Sequence, residues 1–297
     1  MKSVIITGVG GFVGNNLADY LAERGLRVYG LWHNHKPKEH KNTVSLIQVD
    51  LADIDEVRYK LSDDRFREVD AIIHLAAQLP KKGCTMNDFV DNTINATKNI
   101  VAYAQEKEIH SFIYMSSIAV YGDTKGEVTE DTDRVNLSDY GMAKYIGERI
   151  VEDADISGRI ILRLPRMLGK GMTFERPWVP ALIWKLANGE EVKYYNPDIY
   201  FNQLAHVDSL SEFLIELLQR KEKQCIKLGI GASEPIRIIE VIELLRKLLD
   251  SNSEIININA EKKDSVSLLN LSEAVSFGFR PWTVKETLER IVCDLGM

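Results

Sequence analysis

Short apolar runs alternate with longer amphipathic stretches along the first half of the chain. The runs are nearly continuous and rich in valine and isoleucine, which is typical of strands buried on both faces of a sheet. They are SVIIT (3–7), LRVYGL (26–31), SLIQVD (45–50), AIIHLAA (71–77), SFIYMSS (111–117) and RIILRL (159–164). The stretches between them place their apolar residues on one helical face. This alternation predicts an α/β fold with a Rossmann-type, doubly wound parallel sheet.

The pattern changes after about residue 165. Glycine and proline mark loops there, and strong amphipathic helices are predicted on either side of residue 230. We therefore expect a larger first domain and a smaller C-terminal α/β domain. The predicted ranges are 1–165 for the first domain, with 202–228 returning to it, and 166–201 with 229–297 for the second.

The composition excludes several classes of protein. The net charge of −7, with both signs mixed along 297 residues, argues against a nucleic-acid binder. Cys84, Cys225 and Cys293 are widely spaced, which is typical neither of a disulfide framework nor of a metal clip. Because no apolar segment reaches about 20 residues, the sequence predicts no membrane span. We expect a soluble, cytoplasmic protein.

The first predicted strand runs directly into the glycine-rich turn TGVGGFVGNNL. Gly8 permits a tight turn, Gly11 permits close approach to a diphosphate, and Gly14 permits close packing of the following helix. That helix begins near Phe12 and Val13, and its N-terminal N–H groups favour phosphate binding. A plain tight turn is the alternative, but the strand–turn–helix context favours dinucleotide binding.

Tyr140 and Lys144 have the Y-x-x-x-K spacing in DYGMAKYIGE. On a helix they lie on one face, and a lysine ammonium beside a phenol favours the phenolate form. Such a tyrosine can exchange a proton with a sugar hydroxyl. Ser117 ends a predicted buried strand and so lies at the sheet edge where ligands bind. The three residues together are candidates for catalysis.

These features closely resemble the extended short-chain dehydrogenases/reductases, the NAD-dependent epimerase/dehydratase family that modifies nucleotide sugars in carbohydrate biosynthesis. The resemblance covers nearly the whole chain. The motifs that carry it are TGVGGFVG (7–14), VDL (49–51), HLAA (74–77), DNTINATKNI (91–100), SSIAVYGD (116–123), YGMAK (140–144), HVDSL (206–210) and GIGASEPIRIIEVIELL (229–245).

The resemblance implies that the first domain binds NAD(P), that the second is a substrate-binding cap, and that the protein is a homodimer. It implies that Ser117 polarises the substrate oxygen, that Tyr140 is the general acid/base, and that Lys144 binds ribose and tunes Tyr140. Substrate contacts are expected at Ser117, Arg166 and Asn202, and no metal is expected. The expected cofactor contacts are Gly8, Gly11, Phe12, Val13, Gly14, Trp32, His33, Asn34, Asp50, Leu51, Leu75, Ala76, Ala77, Asn92, Tyr140, Lys144 and Pro165.

Several positions depart from the family pattern. Ile118 and Ala119 stand where the family's 4,6-dehydratases carry an Asp-Glu pair, which disfavours dehydration. Arg166 stands where epimerases often have Asn, and Asn202 where they often have an Arg that clamps a diphosphate. We hypothesise that Arg166 supplies the charge missing at Asn202; a surface arginine is the alternative. His206 has no second ligand at useful spacing and is interpreted as structural rather than metal-binding.

The stretch VYGLWHNHKPK ends the second predicted strand, where NAD-selective proteins place a carboxylate for the ribose 2′-hydroxyl. Here Trp32, His33 and Asn34 occupy this position, and no carboxylate appears before Glu39. On an extended strand His33 and His35 point opposite ways, which argues against a metal site. The altered pocket predicts that NADP is favoured over NAD.

Three functions remain open at this point. Chain length and the altered pocket favour an NADP-dependent nucleotide-sugar 4-ketoreductase. A nucleotide-sugar 4-epimerase with tightly bound NAD is the alternative, because it needs the same serine, tyrosine and lysine. A non-catalytic NADP-binding sensor is the third possibility that this fold supports.

Overall fold

The computed structural model describes residues 3–37, 40, 43–174, 178–220, 223–258 and 267–296. The remaining residues of the predicted domains, Lys38 and Glu39 among them, lie outside the described residues. The chain forms two compact units. The first comprises 1–123, 133–164 and 211–229, and the second comprises 124–132, 165–210 and 230–297. Residues 124–132 and 202–210, which the sequence pattern assigned to the first domain, group with the second unit.

Both units contain helices and strands. The strands are β1 (Ser3–Thr7), β2 (Arg27–Trp32), β3 (Val44–Gln48), β4 (Ala71–His74), β5 (Ser111–Ser117), β6 (Glu127–Val128), β7 (Gly158–Leu164), β8 (Arg166–Leu168), β9 (Val192–Tyr194), β10 (Tyr200–Phe201), β11 (Leu204–His206), β12 (Cys225–Gly229), β13 (Ile236–Arg237), β14 (Ile255–Asn257) and β15 (Leu268–Leu269). The helices are α1 (Phe12–Glu23), α2 (Ile54–Lys60), α3 (Met86–Phe89), α4 (Ala96–Glu106), α5 (Asp139–Glu152), α6 (Val179–Ala187), α7 (Val207–Gln219), α8 (Ile238–Leu248), α9 (Ser272–Ser276) and α10 (Val284–Leu295).

The first unit is built on a seven-stranded sheet in the order β12-β7-β5-β4-β1-β2-β3. All neighbouring strands are parallel, which confirms the predicted doubly wound α/β fold. The order reverses between β1 and β4, and open α/β sheets bind ligands at such a switch point, beyond the carboxyl ends of the strands. Strand β12 ends one residue beyond the predicted returning segment 202–228, and the apolar runs do not predict it.

Apolar side chains on both faces hold this sheet in place. All five residues of β1 are buried, as the near-continuous apolar run predicts. Helix α1 covers the sheet with Leu17, Ala18 and Leu21, each fully buried. Burying one such leucine contributes roughly 1.5–3 kcal/mol. Because many contacts of this kind stabilise one core, the carboxyl ends of the strands are held in fixed positions, where a site can form.

The second unit consists of small sheets and helices. Strand β8 pairs with β11 and β9 with β14, both in parallel, while β10 and β13 pair antiparallel. Strand β15 pairs in parallel with β6, which explains why 124–132 groups with this unit. Thr283 and Glu286 form a capping box at the start of α10. None of the helices that the structure describes combines the length and the apolar character that a membrane span requires.

Candidate cofactor and active site

The glycine turn lies between β1 and α1. Gly8 has a φ of +70°, and a Cβ there would come within 2.8 Å of the backbone nitrogen of Ala76. Gly11 caps α1 and has no side chain to offer the first helical N–H groups. Those groups and the positive end of the helix dipole suit a phosphate. Phe12 and Val13, at the start of α1, are half-buried.

A close contact at Gly10 could not be recognised from the sequence. A Cβ at Gly10 would overlap the carbonyl oxygen of His35, so the chain after β2 lies directly against the glycine turn. The second strand ends at Trp32, and residues 33–35 form a bend. The prediction that His33 and His35 lie on an extended strand is therefore wrong. The glycine-rich sequence at 8–14 marks the turn but not its partner.

The ends of β2 and β3 meet beside this bend. The Gln48 side chain donates a hydrogen bond to the His33 carbonyl at 3.2 Å. The Nε2 atom of His33 lies 3.8 Å from the Asp50 carboxylate, whose Oδ1 accepts the Ala52 N–H at 2.9 Å. The Asn99 side chain donates to the carbonyls of Leu51 and Ala52, each at 2.9 Å. Asn99 thus fixes the turn that carries Asp50 and Leu51, a role that its helical position does not suggest.

Three buried side chains form a neutral chain of hydrogen bonds that ends on the backbone carbonyl of Thr93, and these four residues are the hydroxyl–imidazole network (Thr7, His74, Thr97 and Thr93). Thr7 donates its hydroxyl proton to Nδ1 of His74 at 2.6 Å, because the Thr7 oxygen already accepts backbone N–H groups. The Nε2–H of His74 then donates to Thr97 at 3.0 Å, and Thr97 donates to the Thr93 carbonyl at 2.6 Å. Burial lowers the pKa of His74 to about 3, assisted by the charge of Lys144, so this imidazole stays neutral.

The hydroxyl–imidazole network fixes the backbone that follows β4. The Thr7 hydroxyl oxygen accepts the N–H groups of Leu75 and Ala76, each at 3.1 Å. The Thr93 hydroxyl accepts the Gln78 N–H at 3.0 Å. Leu75, Ala76 and the next residue, Ala77, are half-buried. The network therefore shapes the segment to which the sequence assigned cofactor contacts.

A π-helical segment, Val90–Asn95, precedes α4. It contains Asn92, whose side chain donates to the Asp88 carbonyl at 3.1 Å. Such segments interrupt helices frequently at functional sites. The sequence predicts one continuous helix over 91–106, and the wider turn cannot be recognised from apolar periodicity.

The three candidate catalytic residues all belong to the first unit. Ser117 ends β5, and its hydroxyl oxygen accepts the Ala119 N–H at 3.2 Å. Gly141, the residue after Tyr140, packs so closely on the Ala119 carbonyl that a Cβ would overlap it. The start of α5 is therefore held against the chain that directly follows Ser117. Lys144 is one turn further along α5, on the same helix face as Tyr140.

Lys144 is almost completely buried, with 2% of its surface exposed. Its Nζ lies 4.3 Å from the centroid of the Tyr114 ring, and His74 stacks on Tyr114 at 5.7 Å between centroids. Burial lowers the pKa of Lys144 to about 7, and the Glu148 carboxylate acts in the opposite direction. The lysine is thus poised between its charged and neutral forms near neutral pH.

A second group of buried side chains forms the carboxylate–guanidinium network (Ser116, Glu148, Arg163 and Tyr121). Arg163 donates from Nε and Nη2 to the two oxygens of Glu148 at 3.0 and 2.9 Å, and both side chains are fully buried. Ser116 donates to Glu148 at 2.6 Å, and Arg163 contacts the Tyr121 hydroxyl at 3.3 Å. This bidentate ion pair joins α5 to β5 and β7, and the sequence pattern does not reveal it.

The remaining predicted site residues, Pro165, Arg166 and Asn202, belong to the second unit. Pro165 is buried and Arg166 is half-buried in β8. Asn202 is buried, and its amide exchanges two hydrogen bonds with the Leu269 backbone at 2.9 and 3.0 Å. These bonds give Asn202 a structural role and argue against its assignment to substrate binding.

His206 lies in a cluster with Asp208 and Asp294, whose ligand atoms are all within 4.8 Å of one another. Its Nε2–H donates to Asp294 at 2.9 Å, and its Nδ1 accepts the Asp208 N–H at 3.2 Å. Arg290 contacts both carboxylates, and Trp282 stacks on the imidazole at 5.1 Å. Both ring nitrogens and both acids have partners, which gives His206 a structural role. Its contacts hold α10 against β11.

Comparison with known protein families identifies the chain. The sequence of residues 4–229 matches the model of the NAD dependent epimerase/dehydratase family. The chain belongs to this family. The glycine turn, the Ser117 strand end and the Tyr140–Lys144 helix all lie within the matched residues. Membership thus confirms the resemblance drawn from the sequence motifs.

Several known proteins are similar to the chain over nearly their full length. A putative UDP-glucose 4-epimerase of Methanocaldococcus jannaschii is 23% identical, over 97% of each chain. The structure of a UDP-glucose 4-epimerase from Thermotoga maritima with UDP-glucose has a TM-score of 0.84, at 18% identity over 99% of this chain and 98% of that one. The Bordetella bronchiseptica enzyme WbmH, solved with NAD⁺, has a TM-score of 0.81, at 21% identity over 100% and 99% of the chains. At these identities the structural likeness shows the shared fold.

Proposed function

We propose that this member of the NAD dependent epimerase/dehydratase family is a nucleotide-sugar 4-epimerase. The observation that carries the proposal is the placement of Tyr140 and Lys144 on one face of α5, against the chain that follows Ser117. The family match and the described 4-epimerases among similar proteins support it. The order of preference from the sequence, with a ketoreductase first, is therefore reversed.

The first unit fits a dinucleotide. Gly8 and Gly10 form a turn in which a Cβ would meet backbone atoms, and the N-terminus of α1 has no side-chain cap. We propose that the diphosphate binds there and that the adenosine binds near Trp32 and Asp50. A bound NAD would supply the acceptor and the donor for a hydride of the sugar carbon. The cofactor contacts predicted from the sequence are proposals of the same kind.

Each candidate catalytic residue has a distinct task. Tyr140 removes the proton from the sugar hydroxyl and later returns it as general acid. Ser117 already accepts a hydrogen bond from Ala119, so its own hydroxyl proton is directed elsewhere and can be donated to the sugar oxygen. Lys144 stabilises the ionised phenol by its positive charge. Arg166 is proposed to bind the diphosphate of the sugar nucleotide.

A 4-ketoreductase that uses NADP is the second candidate. It is favoured by the end of β2, where Trp32, His33 and Asn34 stand in place of the carboxylate typical of NAD-selective proteins. His33 and Asn34 are exposed and can donate to a 2′-phosphate. The Asp50 carboxylate 3.8 Å from His33 works against this, since it neutralises a protonated His33.

The experiment is an activity assay on the purified protein with two arms. In the first, UDP-glucose, UDP-galactose and UDP-N-acetylglucosamine are supplied without added cofactor, and 4-epimers are separated by chromatography. In the second, nucleotide 4-keto sugars are supplied with NADH or NADPH. Epimerisation in the first arm is the expected result. Reduction in the second arm alone, with NADPH preferred, would establish the reductase instead.

Two variants test the assignment of Tyr140. Tyr140→Phe should lower the rate by about 100-fold or more, since general acid–base catalysis supplies factors of this size. Tyr145→Phe, in the same helix, is the matched control and should retain the rate. If the wild-type protein binds the cofactor but turns over no substrate in either arm of the activity assay, both enzymatic candidates are contradicted and the sensor is favoured.

A further inference from the structure

The helix that carries the candidate catalytic pair also carries a buried acid. Tyr140, Lys144 and Glu148 follow one another at intervals of four residues in α5, so they lie along one helix face. Lys144 is 2% exposed and Glu148 is fully buried. Neither charge is well solvated, and opposite charges at this spacing attract more strongly away from water.

Glu148 cannot turn freely towards or away from Lys144. Arg163 of β7 binds both of its carboxylate oxygens, and Ser116 of β5 donates to one of them at 2.6 Å. The guanidinium of Arg134, which is partly exposed, lies 3.7 Å from the other oxygen. The carboxylate is thus anchored to two strands of the central sheet. Its position relative to Lys144 is set by the fold rather than by side-chain rotation.

The other groups that face Lys144 do not supply a negative charge at rest. Tyr114 of β5 offers its ring face, and the neutral imidazole of His74 stacks on the same ring. Tyr140 shares the helix face. Among the described groups that interact with Lys144, Glu148 is therefore the one whose carboxylate opposes the effect of burial on this lysine.

We propose that Glu148, anchored by Arg163 and Ser116, is a positioning residue that supplies the counter-charge for Lys144. It thereby favours the charged ammonium form of Lys144 at a buried position. The inference rests on the proposed function of Lys144 as the residue that tunes Tyr140. Glu148 touches neither reactant, and it acts through Lys144. Without it, burial alone would favour the neutral amine, which cannot stabilise a phenolate.

The experiment measures the titration of Lys144 directly in the ligand-free protein. Lysine labelled with ¹³C at Cε is incorporated, and the resonance of Lys144 is assigned by its loss in Lys144→Arg. In Glu148→Gln the midpoint of the titration should fall by about one pH unit or more, the size of effect expected for losing a nearby opposite charge. The kcat/KM at pH 7 should fall about fivefold or more, because a larger share of Lys144 is then neutral at that pH.

Two further variants separate charge from structure. Glu152→Gln makes the same change one turn further along α5, where Glu152 pairs with Arg149 and Lys227, and should leave the midpoint unchanged. The double variant Glu148→Gln with Arg163→Gln removes both charges of the buried pair. Because no unpaired charge is then left in the core, the double variant should fold even if the single variant does not. Its midpoint should also fall, because Arg163 contacts Glu148 rather than Lys144.

The outcomes for the inference and for the proposed function are distinct. A Lys144 midpoint that is the same in the wild type and the folded Glu148 variants would overturn the inference, whatever the activity. A lowered midpoint supports it even if the wild type turns over no sugar nucleotide, in which case the proposed function alone fails.

Discussion

The first unit buries two polar networks, and Lys144 has a neighbour from each. The hydroxyl–imidazole network is neutral, since each of its hydrogen bonds joins an uncharged donor to an uncharged acceptor. The carboxylate–guanidinium network is ionic and fully buried at its Glu148–Arg163 centre. The first reaches Lys144 through the stacked rings of His74 and Tyr114, and the second reaches it along α5.

The contrast shows two solutions to the burial of polar groups. The neutral network satisfies backbone N–H groups after β4 and needs only the correct tautomer of His74. The ionic network must offset the desolvation of two charges, which makes it a weak source of stability. What it provides instead is a fixed charge beside the lysine. The first network therefore shapes the backbone, while the second determines electrostatics.

The largest expected effect on stability comes from removing one partner of the buried ion pair. Arg163→Met leaves the Glu148 carboxylate buried without its bidentate partner and should lower the free energy of unfolding by about 3–5 kcal/mol. Adding Glu148→Leu should restore most of this loss, because the pair is then replaced by apolar groups. Urea denaturation of the three proteins measures both values.

An exposed pair of the same chemistry provides the control. Arg58 contacts both carboxylate oxygens of Glu106 on the surface, with 49% and 41% of the two side chains exposed. Because water screens this pair, Arg58→Met should change the free energy of unfolding far less than Arg163→Met does. If the double variant at 148 and 163 were no more stable than Arg163→Met, the loss would not arise from the unpaired charge.

The stability that the hydroxyl–imidazole network contributes should fall at acid pH. The pKa of His74 is lowered by burial to about 3, from 6.5 in the unfolded chain, so the unfolded state binds a proton that the folded state does not. Stability attributable to His74 is then lost as the pH falls from 6.5 towards 3. Between a pH of about 6.5 and one of about 4.5 this loss should be about 2–3 kcal/mol.

The comparison of His74→Gln with the wild type isolates this contribution. Between the two pH values, the free energy of unfolding of His74→Gln, measured by urea titration, should fall by about 2–3 kcal/mol less than that of the wild type. His110→Gln changes an exposed histidine and should leave the pH dependence as it is in the wild type. Equal pH dependence in His74→Gln and the wild type would show that the imidazole is not neutral in the fold.

Most of the fold could be predicted, because buried parallel strands leave a direct signal in the sequence. Six strands of the central sheet appear as apolar runs, and the glycine turn is marked by residue type. The signal weakens where a segment depends on a distant partner. Gly10 is required by the approach of His35, and the π-helical turn at Val90–Asn95 depends on the local hydrogen-bond pattern.

The same limit applies to the candidate site. Ser117, Tyr140 and Lys144 have a recognisable spacing, whereas Glu148 and Arg163 are 15 residues apart and meet only when α5 packs on β7. One signal was available, since Arg163 interrupts the apolar residues 160–164 of β7, and a charge in such a run needs a buried partner. Periodicity cannot say which of the many acids is that partner.

The smallest effect expected concerns the lysine between the networks. Lys144→Met keeps the length of the side chain but removes a charge that burial disfavours, so it should raise the free energy of unfolding near neutral pH by about 1–2 kcal/mol while abolishing turnover. The folded pKa of about 7 lies below the unfolded 10.5, so the wild type gains stability as the pH rises through this interval and the advantage of the variant should shrink. Lys98→Met, at an exposed position of α4, should show no such gain. A loss of stability in Lys144→Met at neutral pH would mean that the two networks hold the ammonium more favourably than water does.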